Sequence, residues 1–176
     1  MPHLENMGFE RIPVLSGSVE RPRLARDGLS WEHLELMRRI WKGKLLLKGV
    51  LAPADVRIVR ESGVDGIMVS NHGGRQLERS LSTLDALPDV VAGAAGAEVY
   101  LDGGVRSGSD VLVALALGAR AVMIGRPAMW GLAVGGAEGV ARVLDGLRAA
   151  LADDAGLCGL PNLADIPGDL VVDAAG

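Results

Sequence analysis

The stretch from Leu101 to Pro127, LDGGVRSGSDVLVALALGARAVMIGRP, decides the fold. It opens at the end of a short apolar run, EVYLD (98–102), which reads as a buried strand. Two glycines and Arg106 follow. Ser107 and Asp110 then stand at the S-x-x-D spacing of a capped helix start. The helical segment, 107–119, stops at Gly118. A second apolar run, AVMIG (121–125), leads into Arg126 and Pro127. Strand, glycine turn, helix, strand is a parallel βαβ unit. Its charged residues lie where each strand ends.

The same grammar extends upstream. SWEHLELMRRI (30–40) places Trp31, Leu34, Met37 and Ile40 on one helical face, with Ser30 as candidate N-cap. KLLLK (44–48) reads as a strand. PADVRIVRESG (53–63) reads as a helix with Pro53 in its first turn and Gly63 at its stop. GIMVS (66–70) is the next strand, and STLDALPDVVAGA reads as an imperfect helix interrupted at Pro88. Downstream, 135–156 holds a final long helix. The strand ends fall at 48, 70, 102 and 125, so the spacings are 22, 32 and 23 residues. These lengths suit right-handed βα crossovers.

Both an open doubly wound sheet and a piece of a (β/α)8 barrel accept four such units. Polar residues follow all four strands: Lys48, then Ser70-Asn71-His72, then Asp102 to Arg106, then Gly125-Arg126. An open sheet concentrates its ligand at one switch point. A barrel spreads its site over successive βα loops on one face. The pattern therefore predicts an α/β fold corresponding to the C-terminal half of a (β/α)8 barrel, about strands five to eight. A whole barrel needs eight strands and about 250 residues; this chain has 176. Residues 1–29, with Pro2, Pro13 and Pro22, read as an irregular loop or lid. Residues 30–160 form the half-barrel and 161–176 a tail.

Composition narrows the partners. The net charge of −4 gives no sign of nucleic acid or of an anionic membrane surface. No apolar run approaches the ~18 residues of a membrane span, and the first residues lack a signal-peptide pattern. A single cysteine, Cys158, fits a reducing cytoplasm. His3 and His33 stand in no metal-ligand spacing. Tyr100, Trp31, Trp41 and Trp130 read as packing residues.

The candidate chemistry lies in the loops. Lys48, after three leucines, reads as a fixed cation or as a Schiff-base amine; a strand-end lysine reaching solvent is the plainer alternative. His72 and Arg75, in SNHGGRQ (70–76), combine a proton carrier with a planar carboxylate clamp, with glycines between them that let backbone approach a flat ligand. The plainer alternative is a solvated surface loop. The Gly103-Gly104 turn with Arg106, joined by Gly125 and Arg126, forms a candidate anion site where barrels commonly bind phosphate; otherwise these glycines serve only tight turns.

Taken together, SNHGGRQL, LLLKGV and LDGGVRSGSDVLVALALGARAVMIGRP resemble the FMN-dependent α-hydroxy acid dehydrogenase/oxidase family over about residues 30–160. WKGKLLLKG and MPHLEN look most similar to its mandelate dehydrogenase and oxidase branch. The resemblance implies FMN as cofactor and a small 2-hydroxy acid as substrate, oxidised to the 2-oxo acid by way of flavin N5. It implies Lys48 at the N1/O2 edge of the flavin, Ser70 against the flavin, His72 as base and Arg75 at the substrate carboxylate. Asp102, Gly103, Gly104, Val105 and Arg106 would line the ribityl chain and phosphate, with Gly125 and Arg126 completing the phosphate site. The family's first four βα units have no counterpart here, so Met1 is expected to be an internal methionine. The chain is expected to need a complementary half-barrel or self-association. Alternatives are a non-catalytic remnant retaining the phosphate site, and a Schiff-base lyase using Lys48.

Overall fold

The computed structural model describes residues 30–172. The segment 1–29, read as a loop or lid, and residues 173–176 lie outside the described residues. Helix α1 (Trp31–Ile40) begins in the unit Met1–Leu34 and ends in the unit Glu35–Gly176, which holds everything that follows. The order is β1 (Leu46–Val50), α2 (Pro53–Glu61), β2 (Gly66–Ser70), α3 (Thr83–Gly93), β3 (Glu98–Asp102), α4 (Gly108–Ala116), β4 (Ala121–Met123) and α5 (Arg126–Leu157). The strands form one parallel sheet in the order β1-β2-β3-β4. Four consecutive βα units in this order are a partial (β/α)8 barrel, as the strand-end pattern requires.

Strand pleating sends alternate side chains to opposite faces. Leu47, Ile67, Val69, Val99, Leu101 and Val122 face the helices. There they pack with Val56, Val59, Leu87, Val90 and Ala114 into a single core. The opposite face carries Leu46, Lys48, Met68, Tyr100, Asp102 and Met123. It is the barrel's inner face, and Leu46 and Met123 are exposed on it.

Several boundaries differ from the sequence reading. β1 starts two residues later than KLLLK suggests. Asp65 draws the Leu45 amide and the Lys44 ammonium into the turn beneath the strand. A bulge at Gly49 (φ 106°) then ends the alternation and turns Val50 into the core. Pro88 does not interrupt α3, which runs through it. Of the apolar face expected on α1 only Leu34 is buried, and the Ser30 hydroxyl bonds the His33 ring rather than a helix amide. Trp41 and Trp130 are more than half exposed, and the Tyr100 hydroxyl donates to Glu98 rather than packing in the core. Residues 161–172 form turns and bends without regular structure.

The largest departure is α5. It starts directly at Arg126, with Pro127 in its first turn, and breaks at Gly135 and Gly136 into two arms. Gly131 and Gly139 bring those arms together: a Cβ on Gly139 would lie 2.0 Å from the Gly131 carbonyl oxygen. The second arm also crosses α4 closely, where a Cβ on Gly108 would lie 2.2 Å from the Leu151 nitrogen. These contacts fix α5 against the turn that follows β3.

Candidate active site at the strand C-termini

All four strands deliver their polar residues to one cleft. Lys48 comes from β1. His72, Gly73 and Arg75 come from the loop after β2, and Asp102, Gly103, Gly104 and Arg106 from the exit of β3. Met123, Gly125 and Arg126 come from the end of β4 and the start of α5. The sequence reading missed Met123, although strand alternation places it in register with Asp102 on the inner face. Val105 reaches the cleft too, but its side chain is 2% exposed and belongs to the core. Ser70, 3% exposed, lines a neighbouring cavity with Lys48 and His72.

Ser70 and Asp102 sit side by side in the sheet register, and a network joins them. The Ser70 hydroxyl donates to Asp102 Oδ2 at 2.6 Å, and Lys48 Nζ meets the same oxygen at 2.8 Å. The His72 amide donates to Ser70 Oγ at 3.0 Å. Burial works to raise the Asp102 pKa. The hydrogen bonds from Lys48 and Ser70, with the charges of Lys48 and His72, outweigh it and hold the carboxyl below its usual range. A lowered native pKa stabilises the fold above the unfolded value of ~3.9, and that stabilisation is lost as pH falls through the native value. Urea unfolding followed from neutral pH into this acid window should show that loss in the wild type. Asp102→Asn should flatten it.

The His72 turn is unusual in its backbone. His72, Gly73 and Gly74 all have positive φ, at 58°, 67° and 72°. Glycine adopts this region freely, whereas a histidine there costs ~1 kcal/mol or more. Asn71 steadies the turn: its Oδ1 accepts from the Gly74 amide, and its Nδ2 donates to the Leu81 carbonyl. From the far side of the cleft, Arg126 Nη2 donates to the Gly73 carbonyl at 3.0 Å. Arg75 ends the turn and faces the same cleft.

The candidate anion site brings the turn after β3 to the start of α5. At α4 the capping box forms as expected and takes up three amides of the turn. Asp110 accepts from the Arg106 and Ser107 amides, and Ser107 Oγ accepts from the Asp110 amide. The start of α5 has no side-chain cap, its N-cap being Gly125. Gly104 and Gly125 leave open space where a Cβ would stand. Arg106 and Arg126 flank this opening, and the Arg106 guanidinium lies 5.3 Å from the centre of the Trp130 ring. An uncapped helix N-terminus, two bare glycines and two arginines suit a phosphate group.

Similarity to known proteins points the same way. A family model described as FMN-dependent dehydrogenase matches residues 13–173. The 2-hydroxyacid oxidase 2 of Rattus norvegicus is 45% identical over 163 residues, covering 92% of this chain and 45% of its own length. The L-lactate oxidase of a Nostoc strain is 49% identical over 139 residues, covering 78% of this chain and 38% of its own length. The crystal structure of a mandelate oxidase with benzoyl-formic acid superposes with a TM-score of 0.74 at 45% identity. It covers 77% of this chain and 41% of the oxidase. The chain thus spans less than half the length of these relatives.

Proposed function

Because the chain belongs to the FMN-dependent dehydrogenase family, we propose that it is the C-terminal half of a 2-hydroxy acid oxidoreductase and carries the base, the carboxylate clamp and the cofactor's phosphate site. One observation carries this reading. A histidine, two arginines at the anion opening, a third arginine beside the histidine and a paired lysine converge from four separate strand ends on one cleft. The half-barrel is residues 30–160, flanked by the segments 1–29 and 161–176.

FMN held in this cleft would supply the acceptor for a hydride equivalent. The protein's own residues do the rest. The Arg75 guanidinium binds the substrate carboxylate through two parallel hydrogen bonds. His72 takes the hydroxyl proton as the carbon–oxygen bond becomes a carbonyl, so a 2-hydroxy acid leaves as a 2-oxo acid. Lys48 offers a fixed positive charge to the flavin ring, held in place by Asp102. Arg106, Arg126, Gly104 and Gly125 receive the phosphate. The ion pair of Lys48 suits a fixed cation better than a neutral Schiff-base amine, so a lyase is the weaker reading. Borohydride trapping of a carbonyl substrate on Lys48 is the outcome a lyase requires.

The cleft encloses about 190 Å³, less than the roughly 300–1,000 Å³ of small-molecule sites. Among the described residues, β1 and β4 each pair on one side only, and the inner face is open. A complementary half-barrel carrying the other four βα units, or self-association, would close the sheet, cover Leu46 and Met123 and supply the remaining walls. The free, exposed thiol of Cys158 suits a reducing cytoplasm. Among the described residues no helix is long and apolar enough to cross a membrane. Mixing the chain with the first half of a full-length relative should raise FMN affinity well above that of the chain alone, read by quenching of flavin fluorescence. A mixture that binds no more FMN than its parts contradicts the half-barrel reading; FMN bound without any hydroxy-acid oxidation marks a remnant that keeps only the phosphate site.

A further inference from the structure

We propose that Arg126 is a positioning residue for His72, joining the phosphate end of the cleft to the turn that carries the base. This role rests on the reading of His72 as the base. It goes beyond a phosphate role for Arg126, because the contact concerned is made to the protein itself.

Three successive left-handed residues, His72 to Gly74, form a turn that a histidine does not adopt by preference. Two of its peptide groups are held locally. The His72 amide donates to Ser70 Oγ, two residues away, and the Gly74 amide donates to Asn71. The Gly73 carbonyl is gripped from elsewhere. Its donor, Arg126 Nη2, stands 53 residues downstream at the first turn of α5. Gly73 is shaped for this contact: a Cβ there would come within 3.3 Å of the same nitrogen. A guanidinium has five N–H donors in a rigid plane. One on Gly73 leaves others for an anion at the α5 N-terminus. A single rigid group therefore senses the anion and holds the peptide beside His72. An anion that orders Arg126 must tighten the turn, and by linkage an ordered turn must favour the anion. A lysine can supply the charge but not the fixed fork.

Amide hydrogen exchange across residues 70–76 of the full chain tests this without flavin turnover. Arg126→Gln should speed exchange at His72 and Gly74 by roughly tenfold, the change one charge-assisted hydrogen bond supports. The β3 amides of residues 98–102 should keep their protection and so report an intact fold. Inorganic phosphate should slow exchange at His72 and Gly74 in the wild type and not in Arg126→Gln. Arg126→Lys, which keeps the charge if the glutamine variant folds poorly, should still exchange fast at the turn while residues 98–102 keep their protection. Wild-type protection of His72 and Gly74 in Arg126→Lys, or in a folded Arg126→Gln that has lost phosphate affinity, overturns the inference and leaves Arg126 as a phosphate ligand alone. The base assignment stands or falls separately, on the effect of His72→Ala on flavin reduction.

Discussion

In the assembled, FMN-loaded protein, His72→Ala should slow reduction of the flavin by a 2-hydroxy acid by about 10²- to 10⁴-fold, the range for loss of a general base. Flavin binding should persist. The proposed phosphate site draws on Arg106, Arg126 and the glycines at the exits of β3 and β4, so the imidazole has no part in it. The backbone gives a second reason to expect a clean separation. At φ 58° an alanine, like histidine, carries a Cβ in the left-handed region, so the substitution adds little new strain to the turn. Rapid-mixing absorbance of the flavin band, with and without substrate, measures both quantities. Arg75→Lys is the useful companion: it keeps a cation but loses the fork, so its loss should appear in substrate affinity. Normal flavin reduction by His72→Ala removes the base assignment.

Gly108→Ala should cost about 3 kcal/mol of stability, the upper end of overpacking penalties. The added methyl would lie 2.2 Å from the Leu151 nitrogen and 2.3 Å from the Ala150 carbonyl carbon. Both are backbone atoms of α5, so no side chain can rotate away. The only response is to move α5 off α4, and α5 carries Arg126 at its other end. Gly146→Ala provides the contrast. It lies in the second arm of α5 with open space around its missing Cβ, and an alanine there should stabilise by about 0.5–1 kcal/mol. Two identical chemical changes in packed helices should thus have opposite signs. Thermal melts of the two variants decide it: a loss of about 10 °C is expected for Gly108→Ala. Equal melting temperatures would mean that α4 and α5 do not cross at Gly108.

The four βα units were legible because apolar runs, glycine stops and the Ser107–Asp110 capping box are local signals. The barrel was legible because charged residues recur after every strand. β1 was misplaced because KLLLK offers no alternation, and its register depends on Asp65, distant in sequence, and on the bulge at Gly49. The start of α5 was missed because the helix was read only from 135, where Gly135 and Gly136 break it, although proline at 127 suits a first helical turn. In the site, His72 and Arg75 stood out because they share one short string. The pairing of Lys48 with Asp102, the bond from Ser70 to Asp102 and the reach of Arg126 to Gly73 join residues far apart in the chain. No local pattern encodes them.

Whether the half-barrel is half of an enzyme can be asked in one anaerobic titration. A 2-hydroxy acid, such as mandelate, is added to the chain assembled with a complementary half and loaded with FMN. The flavin band should bleach in proportion to the 2-oxo acid formed. A bound flavin that stays oxidised with every 2-hydroxy acid offered, in an assembly whose His72, Arg75 and Arg126 are intact, would contradict the assignment.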